Sequence, residues 1–136
     1  MGTRYLIDTN IVIYFLSDLI PAPHNDFLSN LFDKDINISV ISKIELFSRD
    51  LSSKEENAIK TFLNNAHVFP LDESIANIAA KIRRNYKLKI GDAIIAATAV
   101  ENKCNLITRD VKDFGKISDI IKIYNPFGQK NRSFLL

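Results

Sequence analysis

Cysteine and histidine are scarce: Cys104 is the only thiol, and His24 and His67 are the only imidazoles, in 136 residues. One thiol excludes a disulfide framework within the chain, and one Cys with two His at unrelated spacing excludes a zinc centre or haem attachment. That usage fits a reducing cytoplasm. No apolar run approaches the roughly 18 residues of a membrane span. Asp8 interrupts the N-terminus too early for the hydrophobic region of a secretory leader. The expectation is a cytoplasmic protein with no membrane segment. A large charge of one sign is missing too, and the formal net charge of +2 leaves nucleic-acid binding open, since that footprint is a local basic patch. Internal repeats and low-complexity blocks are also absent.

What is present is the ordinary material of one globular domain with its own core, 46% hydrophobic and 25% charged. Residues 1–125 form that domain, and the closing residues 126–136, with Pro, Gly and mixed charge, read as a poorly ordered tail. Residues 4–7 make a short apolar strand ending at Asp8, and Thr9 and Asn10 lead into a helical run over 11–16, which Pro21 and Pro23 break. Phe27, Leu28, Leu31 and Phe32 give 24–34 one apolar helical face. A second strand follows over 36–40. Ser42 and Glu45 then match a capping box at a helix start, and a further helix runs from Ser52 and Ser53 to Leu63. Residues 67–69 are a third strand closed by Pro70, and Asp72 caps a helix over 75–86. Residues 93–100 are apolar on nearly every side and must form a buried helix, followed by a strand over 105–108. Residues 119–124 read as the last strand.

Strands alternating with helices imply a mainly parallel sheet in a three-layer α/β/α domain, because parallel strands need right-handed crossover connections. Ligands in such sheets bind outside the carboxyl ends of the strands. Asp8 and Asp110 follow strands there, and Glu45 and Asp92 lie in the first turns of helices whose N-termini point to the same edge. Singly, each acid reads as a cap or a dipole-favoured first-turn carboxylate. Together they differ from caps, for which neutral Ser, Thr or Asn suffices, and converging carboxylates repel one another unless a cation sits between them. Oxygen-only ligands suit Mg²⁺ or Mn²⁺, and metal-assisted phosphodiester hydrolysis is the matching chemistry.

The blocks LIDTNIVIY, SVISKIEL and GDAIIAATAVENKCNLITRDVKDF, which span almost the whole chain, resemble the signature blocks of the PIN-domain ribonucleases. In this compact form they are similar to the VapC-type toxins of prokaryotic toxin–antitoxin pairs. The resemblance implies a PIN-like fold and a catalytic, metal-binding quartet of Asp8, Glu45, Asp92 and Asp110. It makes Asn10 and Thr108 supporting or water-holding groups, and leaves Asp113 either a further ligand or part of a turn beside a core Phe114. It also implies an endoribonuclease using Mg²⁺ or Mn²⁺, an RNA substrate, a homodimer and a cognate antitoxin. Lys43, Arg49, Arg83, Arg84, Lys87, Lys89, Arg109 and Lys112 lie around the acidic blocks in sequence and form either a basic rim for RNA or a solvated surface. Arg109, Lys112 and Lys43 are the RNA-binding candidates among them.

Two rivals are weighed against this reading. A haloacid-dehalogenase-like phosphatase needs a second acid two positions after its nucleophile, where this chain has Asn10. A catalytically inactive PIN-like module that binds RNA or protein remains the alternative, and the intact quartet weighs against it. Ser42 and Thr9 have no histidine base placed by sequence, so a covalent serine mechanism lacks support.

Overall fold

The computed structural model describes residues 2–128. Five short strands, β1 (Arg4–Ile7), β2 (Asn37–Ser39), β3 (His67–Phe69), β4 (Cys104–Ile107) and β5 (Ile123–Tyr124), are all parallel to their hydrogen-bonded partners. They form two ladders, β1-β4-β5 and β2-β3. The ladders lie side by side at β1 and β2, where the Asn37 amide donates to Tyr5 O at 3.2 Å and accepts from Arg4 at 3.3 Å. Asn37 is 1% exposed, so one side chain replaces the backbone ladder at this seam.

The helices are α1 (Thr9–Leu16), α2 (Ala22–Lys34), α3 (Val40–Phe47), α4 (Ser53–Asn64), α5 (Glu73–Tyr86), α6 (Ile90–Glu101) and α7 (Val111–Phe114). Successive strand side chains point to opposite faces, and the core divides accordingly. Leu6 and Leu106 pack with Ile82 of α5 and Ala93, Ile95 and Ala96 of α6. Ile7 and Ile107 pack with Ile11 of α1, Leu28 of α2, Leu46 of α3 and Phe62 of α4. Residues on both faces of β1 and β4 are fully buried, as parallel strands between two helical layers must be. The three-layer α/β/α expectation therefore holds, and α6 is buried from Ala93 through Ala99 as its composition requires.

Three local expectations change. Ser42 is not a helix cap: β2 runs directly into α3, and Ser39 caps it by accepting from Ile41 N at 3.1 Å. Ser42 is therefore a fully buried residue inside the helix. The capping box belongs to α4, where Ser52 and Glu55 exchange bonds of 2.9 and 3.1 Å. The last strand shrinks to Ile123–Tyr124, because Gly115–Ile117 forms a 3₁₀ turn and Ile121 N still bonds Ile117 O. Of the expected tail, Pro126 and Gly128 are buried and Phe127 is half-buried, while 129–136 lie outside the described residues.

Candidate active site

Parallel β1 and β4 end side by side in register, Ile7 opposite Ile107, so the residues after them, Asp8 and Thr108, emerge together. Asp8 caps α1: its Oδ1 accepts from Thr9 N at 2.8 Å, and its own N–H donates to Ile107 O at 2.9 Å. The Thr108 hydroxyl donates to Asp8 Oδ2 at 2.7 Å and accepts from Asp110 N at 2.9 Å. Both groups are buried, Asp8 at 6% exposure and Thr108 at 0%. Asp110 in turn caps α7, accepting from Asp113 N at 3.0 Å.

Glu45 reaches the same edge from α3. Thr9 Oγ1 bonds Glu45 Oε1 and lies 2.9 Å from Ser42 Oγ. Each hydroxyl carries one proton and the carboxylate only accepts, so the relay runs from Ser42 through Thr9 to Glu45. Burial of Ser42 inside α3 thus serves to orient an acid. Gly91, in the first turn of α6, lies against α3: a Cβ there would make ordinary contacts, 3.4 Å to Glu45 Oε2 and 3.7 Å to Ile41 Cγ2. Asp92 follows it in that first turn.

An open cleft of about 430 Å³ is lined by Asp8, Thr9, Asn10, Glu45, Arg49, Asp92 and Asp110 among others. All four expected acids, and Asn10, therefore share one cleft. Carboxylate oxygens of Asp92, Asp110 and Asp113 lie within 4.8 Å of one another, so Asp113 joins the group sterically. It also pairs with Lys116 at 3.8 Å. Of the cations, Arg49 lines the cleft, whereas Lys43, Arg109 and Lys112 are exposed outside it.

The electrostatics record the crowding. Desolvation by burial, followed by the Glu45 and Asp110 charges, raises the Asp8 pKa from 3.8 to about 6, against the Thr108 and Thr9 bonds that lower it. Desolvation again, then the charges of Asp8, Asp110, Asp113 and Glu45, raises Asp92 from 3.8 to about 6. Among the described residues the ion pairs are Lys60–Glu56 and Lys116–Asp113, so no protein cation pairs with Asp8, Glu45, Asp92 or Asp110.

A larger groove of about 960 Å³ opens between α2 and α4, lined by Phe15, Leu16, Phe32, Ile36, Ala58 and Phe62 with polar neighbours. A smaller pocket shares Leu16, Lys54 and Ala58 with that groove, and shares Ile13 and Arg49 with the acidic cleft. Groove and cleft are thereby neighbours along α1. Phe27, which the sequence sets on one helical face with Phe32, instead packs edge-on against Tyr5 and Tyr124 and covers the sheet.

The PIN domain family matches residues 5–120. No curated protein matches the chain. Similar solved structures include a toxin–antitoxin complex from Klebsiella pneumoniae, 29% identical with a TM-score of 0.74, covering 90% of this chain and 98% of that one. FitAcB from Neisseria gonorrhoeae is 28% identical, with a TM-score of 0.74 over 91% of this chain and 99% of its own. VapBC-1 from nontypeable Haemophilus influenzae is 25% identical, with a TM-score of 0.76 over 93% and 100%. No helix among the described residues is long and apolar enough to cross a membrane.

Proposed function

The chain belongs to the PIN domain family, and from that premise we propose that it is a divalent-metal-dependent endoribonuclease, the toxin of a toxin–antitoxin pair. One observation carries the reading: four carboxylates line one cleft with no cation among the described residues paired to them, and two have pKa values raised to about 6. Arg49 lines the cleft but pairs with none of the four, so the acids themselves are left without a neutralising partner. An all-oxygen donor set fits Mg²⁺ or Mn²⁺ rather than zinc. Asp8, Glu45, Asp92 and Asp110 would hold the ion, with Asp113 as a further ligand beside Asp92 and Asp110. When bound, the ion supplies charge against the scissile phosphate and the acidity that makes water a nucleophile near neutral pH.

The chain's own residues hold and orient. Thr108 and the Thr9 N–H fix both oxygens of Asp8, and Ser42 and Thr9 fix Glu45, so these carboxylates keep one geometry whether or not substrate is present. Asn10, at the cleft wall, can position a water with its amide. Arg49 is placed to meet a phosphate. Ser42 bonds a threonine instead of a histidine base, in keeping with direct hydrolysis. Water oxygen bonds phosphorus as the 3′ oxygen leaves, giving 5′-phosphate and 3′-hydroxyl ends.

The partner reading rests on the groove between α2 and α4, with its aromatic patch of Phe15, Phe32 and Phe62, and on the similar complexes. An antitoxin helix would fill the groove between α2 and α4, and its following segment would run along α1 to the acids. Two copies of the chain would form a homodimer, in the cytoplasm. End-group analysis of RNA cut by the purified protein tests the chemistry. Cleavage abolished by EDTA, with 5′-phosphate ends, is expected; binding without cleavage in Mn²⁺ would favour an inactive module.

A further inference from the structure

Arg109 stands between Thr108 and Asp110, both tied into the acidic site, yet among the described residues its guanidinium pairs with none of the acids. Its Cζ lies 4.1 Å from the centroid of Phe127 and 5.2 Å from that of Tyr14. The two rings meet edge to face, centroids 5.1 Å apart at 73°, and so form a notch for a planar cation. Both are placed by the catalytic edge itself. Tyr14 is one helical turn beyond Asn10, which lines the cleft. Phe127 hangs from the end of β5, where Thr108 N bonds Tyr124 O at 3.0 Å. A buried Asn125 closes the turn, accepting Phe127 N on its side chain at 3.0 Å and Gly128 N on its carbonyl at 3.1 Å. Gly128 has φ 102°, which a residue with a Cβ rarely adopts.

We propose that Phe127 and Tyr14 are positioning residues that clamp the Arg109 guanidinium outside the cleft, beside Asp110 in sequence, where its N–H edge takes a backbone phosphate of single-stranded RNA. This rests on the ribonuclease reading for its ligand and on the stack alone for the clamp. A guanidinium held over ring faces by its central carbon keeps its N–H donors at its edge, where two of them can meet a phosphate. An unstacked arginine on the same backbone samples many rotamers and loses part of its binding as it is ordered. The C-terminal turn thereby becomes part of the substrate-binding surface, acting through Arg109.

The test is a double-mutant cycle on RNA binding, with every chain carrying D92N so that the RNA survives, read by anisotropy of a labelled single-stranded oligoribonucleotide. R109A should weaken binding about 10-fold and lower the salt slope by about one. F127L, which keeps apolar volume without the ring, should weaken binding about 3- to 5-fold, F127Y should restore it, and F127L should add nothing in the R109A background. F127L binding like the reference, or its full effect persisting without Arg109, would overturn the proposal. The clamp is read separately from the Arg109 Nε–H resonance, which ring current should shift in the reference and which should relax in F127L. A relaxed position already in the reference overturns the clamp, whereas a shifted resonance with no RNA binding by the reference overturns the ribonuclease reading instead.

Discussion

Thr108 donates a 2.7 Å hydrogen bond to Asp8 across a sequence separation of 100 residues, and the same hydroxyl accepts from Asp110 N. One buried side chain thus ties the end of β1, the end of β4 and the cap of α7 together. Replacing it tests how far the acids depend on that tie. T108V is nearly isosteric, removes both bonds and strands Asp8 Oδ2 and Asp110 N, which should cost about 1–3 kcal/mol in urea or thermal unfolding. Mn²⁺ affinity should fall about 10- to 100-fold with it, as for other groups that orient ligands. Unchanged stability and unchanged Mn²⁺ affinity would remove Thr108 from the account.

D92N and D8N should differ in the metal-free protein. Asp92 is half-buried among like charges, so Asn there relieves repulsion and should raise Tm in EDTA at pH 7.5. At Asp8 the same relief is offset, since Asn offers one acceptor where the carboxylate accepts from Thr9 N and Thr108, and a lost bond costs about 1 kcal/mol. A D92N chain less stable than wild type in EDTA would contradict this.

The pH dependence has a definite sign. Asp8 and Asp92 have folded pKa values of about 6 against an ordinary 3.8, so the native state holds protons that the unfolded state has released between those values. Their contribution favours folding below pH 3.8 and is lost as pH rises through 6. For buried Asp8 the full swing is on the order of 2–3 kcal/mol. The stability gap between D92N and wild type in EDTA should therefore open between pH 4 and 6.5 and close below pH 4. A gap constant across that range would refute the shift.

The same linkage runs through the metal. A divalent ion binds the ionised carboxylates, so Mn²⁺ should release protons near pH 6 and lose affinity as pH falls below it. Calorimetry in two buffers of different ionisation enthalpy measures the count. No proton release at pH 6 would mean that neither Asp8 nor Asp92 meets the ion.

How much of this was legible in the sequence depends on how local the signal is. The strand-then-acid pattern at Asp8 and Asp110, and the buried helix behind Asp92, follow from composition within a few residues, and the site cleft assembles from them. The S-x-x-E match at Ser42 misled because β2 enters α3 with no loop, which moves the cap to Ser39 and Ser42 into the interior. The isoleucine-rich residues 119–124 look like a strand, but the turn from Ile117 takes the Ile120 and Ile121 N–H groups. Arg109 is a candidate by its place beside Asp110, but its union with Tyr14 and Phe127 has no local signature: they follow β4, β1 and β5, and only the registry of those three strands joins them. Arg49 was one of eight cations around the acidic blocks, and not one of the three RNA-binding candidates, until α3 placed it at the cleft.

The groove predicts a separation of partner binding from catalysis. Ala58 is an exposed wall residue of the groove between α2 and α4. A58R should prevent an antitoxin encoded beside the gene from silencing the protein on co-expression, while the purified variant cleaves RNA like wild type. Silencing that survives A58R, or a chain that is not toxic when expressed alone, would count against the partner.

The central claim is that Asp8, Glu45, Asp92 and Asp110 act as one metal site that hydrolyses RNA. The most direct measurement compares wild type and D92N on the same RNA in Mn²⁺, then in EDTA, then in EDTA with Mn²⁺ restored to excess. Wild type should cleave, stop and cleave again, and folded D92N should be slower by on the order of 100-fold or more. Cleavage by wild type that persists in EDTA, or undiminished cleavage by D92N, would contradict the account.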